Sequence, residues 1–517
     1  MSASTPSFAS ASGPAPDLNA PRIGAGALSG FAALAAGVLA TAVTTPVVVH
    51  ALGATRFGLW LALVAAVSFT GLLDFGFSQA AARFTGEHRA RRDPSMVNGF
   101  IAATGAAYLV AFGLVLLATA AIGIAFPRFI NVSAADRPLI LPAAILVGLA
   151  TALGLWMGFF GSLLHAHQRL PSANAVRAGY WLLFTASTIT AALAGWGIVG
   201  LAGAMAASAA LACAGQAWLV WRAVPRLRWR WPHPAILRQS LSYSAVMFMI
   251  SAGTAVVFET DTIVIAAFKG AAAVAAYAIA LRLTRGLTLF LHKLPDVLFP
   301  FYAGMRAVGD LGRIRSNYLL TARLELAGAA VVVLGLGFAG RQLIALWVGP
   351  SNVASLPVFG LAIVLVVMEA VVHPGAILAA ATGGERRMAI VNNAEAILNL
   401  GLSIVFVIRF GVAGVIAATV LAQALTNLWY LPRWAMRRLD IAPAAYARAT
   451  LGRAILPGLC GAVVGLAITW WWPSTAGAFA AAAAAAVVFL ASYLRLGAGS
   501  EERGWVRGWL PMGQRAA

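Results

Sequence analysis

The chain has 517 residues, of which 61% are apolar and 10% charged, with 52 glycines. Soluble domains sit near 45–50% apolar and about 25% charged, so this balance excludes a soluble enzyme, a disordered chain and a nucleic-acid-binding domain; it predicts an all-α polytopic membrane protein. The net charge of +20, from 36 Lys and Arg against 16 Asp and Glu, then belongs to cytoplasmic loops rather than to a nucleic-acid partner.

Residues 1–23, rich in Ser, Ala and Pro, read as a disordered cytoplasmic tail. Apolar runs follow at about 24–49, 57–81, 97–125, 138–164, 173–195, 197–221, 240–267, 273–300, 319–346, 354–380, 390–409, 412–432, 453–472 and 475–496. Each is near the ~20 residues that cross ~30 Å of hydrocarbon, which predicts about 14 helices. With the N-terminus cytoplasmic, inside segments hold 26 of the 36 basic residues and outside segments six. That bias places both termini inside and requires an even helix count. Trp229 and Trp231, and Trp470 to Trp472, read as headgroup anchors. Cys213 and Cys460 both lie in apolar runs and read as small packing residues.

The two halves repeat weakly. ARFTG at 82–86 corresponds to PFYAG at 300–304, and QRLPSAN at 168–174 to RRMAIVN at 386–392, both at an offset of 218; the turns GIVG at 197–200 and GVAG at 411–414 correspond at 214. An offset of six spans predicts parallel repeats about an axis along the membrane normal. The expected organisation is an N-lobe at 24–230, a C-lobe at 231–435, two appended helices at 436–496 and a cytoplasmic tail at 497–517, with a central cavity between the lobes.

The runs LGATRFGLW at 52–60, LLDFGFSQAAARF at 72–84 and ETDTIVIAAFKGAAAVAAYAIALRLT at 259–284 resemble bacterial polysaccharide (O-antigen/exopolysaccharide) flippases of the multidrug/oligosaccharidyl-lipid/polysaccharide exporter superfamily. The resemblance implies a protein of the bacterial inner membrane that moves undecaprenyl-diphosphate-linked oligosaccharides between leaflets by alternating access. It implies membrane lipid as a second partner, and a polysaccharide polymerase and chain-length regulator as possible further ones, with no cofactor and no metal. A lipid II flippase and a drug/cation antiporter belong to the same superfamily. The first is weakened by a first span without an internal arginine. The second requires an acidic cavity, whereas the sequence offers a cationic stripe. A membrane-embedded glycosyltransferase or polymerase is the alternative from another class; such enzymes carry a large periplasmic loop, and the longest outside loop here is about a dozen residues.

That stripe is on the eighth span, where Arg282, Arg285, His292, Lys293 and Asp296 fall within about a 100° arc. Charges inside a span cost roughly 2.5–3.5 kcal/mol at its centre and usually face protein or a wet cavity. Arginine's planar fork matches phosphate oxygens, so Arg282 and Arg285 are expected to clamp a lipid diphosphate, with Lys293 beside them; internal ion pairing is the structural alternative. Arg177 on the fifth span either opposes them or reaches the cytoplasmic interface. Asn392, Asn399 and Gln423 are candidate sugar contacts, although interhelical hydrogen bonding is the better reading for any one of them. Asp74, Glu259, Asp261, Asp296, Glu369, His373 and Glu395 are candidates for ion coupling, with Glu369 and His373 spaced to touch at i, i+4, either as a proton relay or as a simple structural pair. The sequence contains no GxxxxGK[ST], HExxH, GxSxG or CxxC motif, so catalysis is not expected.

Overall fold

A computed structural model describes residues 20–91, 93–223 and 234–499. The two tails, Trp229, Trp231 and the expected boundary between lobes fall wholly or largely outside the described residues. Within them the fold is helical throughout, with no strand. Eleven segments are long and apolar enough to cross a membrane. Two of these, Leu28–Arg89 and Glu385–Arg438, are double length. The first comprises most of α1 (Ala20–Ser68) and α2 (Phe77–Ala90), and breaks at Gly53. The second contains α11 (Glu385–Leu425) and α12 (Asn427–Arg438), and breaks at Gly411. Both glycines have a positive φ, 74° and 63°, a region that a side chain disfavours. A twelfth long helix, α5 (Leu170–Leu193), carries Arg177 and several Ser and Thr.

The other expected spans correspond to α3 (Pro94–Phe129), α4 (Arg137–Ala166), α6 (Gly197–Ala223), α7 (Pro234–Lys269), α8 (Ala271–Ala307), α9 (Leu311–Val348) and α10 (Leu356–Thr382). The short α13 (Pro443–Ala449) leads into α14 (Leu451–Trp471), and α15 (Thr475–Ser492) returns. Local signals place the turns. Asp93 caps α3 by accepting from the amides of Ser95 and Met96. The Ser95 hydroxyl and those amides hold its carboxyl below the usual range.

Packing partners recur at a six-span interval. The α1–α5 contact has its counterpart in α7–α11, α3–α4 in α9–α10, and α2–α4 in α8–α10. Gly53 and Gly270, 217 positions apart, share nearly one conformation, φ 74° and ψ 163° against φ 84° and ψ 163°. These are the marks of parallel repeats. The appended α14 and α15 pack on each other and on α9.

Because spans alternate, α1 starts and α15 finishes at one end of the bundle, the terminal end; the other is the distal end. The largest buried core lies at the distal end and is continuous across both lobes. It joins Phe57, Leu63 and Ile198 to Val274, Ile279, Val358 and Ile416. A Cβ on Gly58 would stand 1.8 Å from the Ala271 carbonyl oxygen, so only glycine permits α1 and α8 to approach this closely. Toward the terminal end the cores separate. One gathers around Phe159 and Leu163 in the first half, another around Tyr302 and Tyr318 in the second. In lipid such cores are held by close packing and interhelical hydrogen bonds, since the tails are as apolar as the side chains. The bundle is therefore sealed at its distal end.

Candidate functional site

Helices α7, α8, α10, α11 and α12 enclose a cavity of about 640 Å³ within the second half of the chain. Its wall includes Arg285 and His292 from α8, Glu259 and Asp261 from α7, and Glu369 and His373 from α10. From α11 come Asn392, Glu395 and Gln423.

The charged arc of α8 divides between two surroundings. Arg282 does not face this cavity: it donates from Nη1 to Thr45 Oγ1 of α1 at 3.0 Å and lies over the Phe57 ring. Arg285 lies 4.4 Å from the centre of the Phe258 ring and lines the cavity. The expected two-arginine clamp therefore does not form, because residues at i and i+3 diverge by about 60° on a helix. Nor does Lys293 stand free: its Nζ donates to Asp296 Oδ2 at 2.9 Å, the internal ion pair that was the structural alternative.

Asp296 continues into α10. Its Oδ1 lies 3.2 Å from His373 Nε2, and the His373 ring stacks on His292 at 3.8 Å with 9° between planes. His292 Nε2 in turn lies 3.7 Å from Glu325 Oε1 and 4.0 Å from Glu369 Oε2. The expected Glu369–His373 pair is thus replaced. His373 turns to Asp296, and Glu369 accepts from Gln423 Nε2 at 2.9 Å. Pro295 precedes Asp296 and Pro374 follows His373; each denies its helix one backbone hydrogen bond beside the cluster.

Glu325 of α9 was not among the sequence candidates. It is 1% exposed, and neither carboxylate oxygen has a hydrogen-bond partner. The signal was available: it is a lone acid in an apolar span, as Glu369 is. Its closeness to His292 was not available, because it depends on how α8 and α9 pack.

Two further carboxylates are well provided. Asp261 accepts from Tyr277 at 2.8 Å, Thr419 at 2.9 Å and Ser403 at 3.2 Å. Asn399 donates to Thr419 at 2.9 Å and is fully buried, so it braces this group rather than the cavity surface. Glu395 accepts from Thr426 at 2.8 Å and Asn427 at 2.6 Å, and Asn427 also donates to Asn392. Glu259 lines the cavity without a hydrogen bond of its own among those described.

The first half of the chain presents a different interior. Asp74 accepts from the Gly76 amide, the Ser78 hydroxyl and the Tyr108 hydroxyl. Arg177 is exposed on α5, one turn from Trp181, which packs against Gly37 of α1. A recess of about 560 Å³ between α2, α3 and α7 is lined by apolar groups, among them Phe75, Phe77 and Phe248.

Among curated proteins none matches this chain. Solved structures share its fold at low identity. An inward-facing multidrug resistance MATE family transporter of the MOP superfamily superposes with a TM-score of 0.67 at 15% identity, covering 80% of this chain and 98% of its own. The lipid II flippase MurJ, in an inward closed conformation, gives 0.67 at 13% identity, covering 93% and 99%. A MOP superfamily transporter from Pyrococcus furiosus, described as having a binding pocket of reverse polarity, gives 0.59 at 14%, covering 81% and 95%. These likenesses agree with the helical architecture. A family model described as polysaccharide biosynthesis protein matches residues 23–305, more than half of the chain, and the chain belongs to that family.

Proposed function

We propose that this protein flips undecaprenyl-diphosphate-linked oligosaccharide units across the bacterial inner membrane by alternating access, with both termini cytoplasmic and the distal seal facing the periplasm. The observation that carries the reading is Arg285. It is a cation inside a membrane-spanning helix, open to a cavity, with no carboxylate within 4.0 Å among the described residues. A cation at that depth is costly and marks a wet cavity or a ligand path; the cavity carboxylates around Arg285 stand beyond ion-pair distance, and a lipid diphosphate supplies an anion that the guanidinium fork can grip directly. A polymerase and a chain-length regulator would act downstream. Residues 24–230 and 231–435 are the two rocking lobes, and 436–496 the appended pair.

Coupling to an ion falls to the C-lobe. His292 and His373 are too close for both rings to be cationic without strong repulsion, so the stack can take up at most one proton at a time. Glu325 and Glu369 on one side and Asp296 on the other are its acceptors. The test is export of surface polysaccharide in a flippase-null strain, with membrane levels of each variant measured alongside. Full export from a normally inserted Arg285→Ala variant would falsify the assignment of Arg285.

One observation favours a second reading, cation antiport. The cavity carries Glu259, Asp261, Glu369 and Glu395 against Arg285, so it is acidic where the sequence alone suggested a cationic stripe. Ethidium resistance conferred without polysaccharide export would select this reading.

A further inference from the structure

The terminal end holds a second pocket, unrelated to the cavity. It has a volume of about 300 Å³ and is formed by the start of α11 and the outer face of α12. Four arginines converge on it, Arg387, Arg433, Arg437 and Arg438, together with Trp429 and Trp434. All four arginines are exposed. None makes an ion pair among the described residues, although Glu385 and Asp440 are close in sequence. Several other arginines near this end are occupied. Arg89 donates to the Ala166 carbonyl, Arg91 pairs with Glu87, Arg313 with Asp310, and Arg453 donates to the Gly497 carbonyl.

Like charges at i, i+4, as at Arg433 and Arg437, repel by a few tenths of a kcal/mol, so a converging group without acids invites an external anion. Its height identifies that anion. Trp429 is 53% exposed, and exposed tryptophan at a span end marks the headgroup layer, where lipid phosphates lie. Basic pockets between transmembrane helices at that level hold anionic headgroups. The sequence folds this way because α12 begins afresh at Thr426, whose φ of −123° and ψ of −94° break the helix. Leu431, Pro432 and Ala435 then turn inward, and the arginines outward.

We infer that this pocket binds the phosphate of an anionic phospholipid from the surrounding leaflet. The guanidinium groups take the phosphate oxygens and the tryptophans lie along the glycerol and upper acyl region. The bound lipid steadies α12, whose other face carries Asn427 and, through it, Glu395. The site does not depend on the flippase reading.

The test uses full-length protein purified in detergent and mixed with phosphatidylglycerol or phosphatidylcholine, with retained lipid counted by native mass spectrometry. Wild type should hold phosphatidylglycerol in preference. The triple variant Arg433→Gln, Arg437→Gln, Arg438→Gln should hold it at least about tenfold more weakly. The triple variant Arg128→Gln, Arg137→Gln, Arg409→Gln, exposed at the distal end, should match wild type. All six positions are on the surface, so folding is not at stake, and a melting curve confirms it. Equal retention by wild type and the first variant would overturn the site. So would complete displacement of the lipid by millimolar inorganic phosphate, which would mark a free-phosphate site.

Discussion

At corresponding places in the two lobes, a polar residue on the second span faces one on the third. In the N-lobe these are Asp74 and Tyr108; in the C-lobe, 218 and 217 positions later, they are His292 and Glu325. The N-lobe pair is closed, since Asp74 has three donors. The C-lobe pair is open. Glu325 has no donor for either oxygen, and His292 Nε2 has no hydrogen-bond partner. The same contrast holds around them. Where the C-lobe has Glu369 and Glu395, the positions 218 residues earlier are Thr151 and Arg177. Repetition has kept the geometry of the polar pair and let its chemistry diverge. A saturated carboxylate fixes a structure; an unsaturated one beside a histidine can exchange a proton.

The comparison can be broken most forcefully at Arg285, a cavity cation of the C-lobe. Arg285→Ala should abolish nearly all export, and Arg285→Lys should retain a fraction because charge survives without the fork. Export assays with membrane levels decide it. By contrast Arg177→Ala, exposed in the N-lobe, should leave most export intact. Equal losses would mean that the two lobes share the work.

Next is the seam that joins the lobes. Gly58→Ala forces a Cβ into the Ala271 carbonyl, and overpacking of this kind costs about 1–3 kcal/mol. It should loosen the distal seal, read as faster modification by an impermeant thiol reagent of a cysteine placed at Val274. Unchanged labelling together with an unchanged melting temperature would contradict the assignment of the seal.

The closed and open pairs should differ in stability. Tyr108→Phe removes one donor to a carboxylate and should cost about 1.5–3 kcal/mol. Glu325→Leu removes an acid with no donor, so it should be neutral or stabilising, while export coupled to a proton gradient is lost. Thermal unfolding in detergent measures both. If Glu325→Leu destabilises as much as Tyr108→Phe, Glu325 is structural and the contrast fails.

The smallest effect belongs to Asn399. Its bond to Thr419 is interhelical, and such bonds average about 0.6 kcal/mol. Asn399→Ala should lower stability by that order and leave export unchanged; a large loss of export would return Asn399 to the substrate contacts.

Composition alone determined the class, because 61% apolar residues cannot be hidden in one soluble core. The apolar runs placed the helices, since the length of a span is set by the bilayer. The turns at Gly53 and Gly411 were legible as short breaks between runs, and spacing marked α8 as the charged helix. What each charge does was not legible. Helical periodicity assigns a residue to a face but not to a neighbour, so Arg282 and Arg285 looked like one clamp. Tertiary packing sent the first to Thr45 in the other lobe and the second into the cavity. It also decided that Lys293 is neutralised by Asp296, that His373 leaves Glu369 for Asp296, and that Glu325 meets His292. Each of these contacts joins different helices or turns on a rotamer, and the free energy that selects among them comes from close packing and buried hydrogen bonds, which no single span encodes.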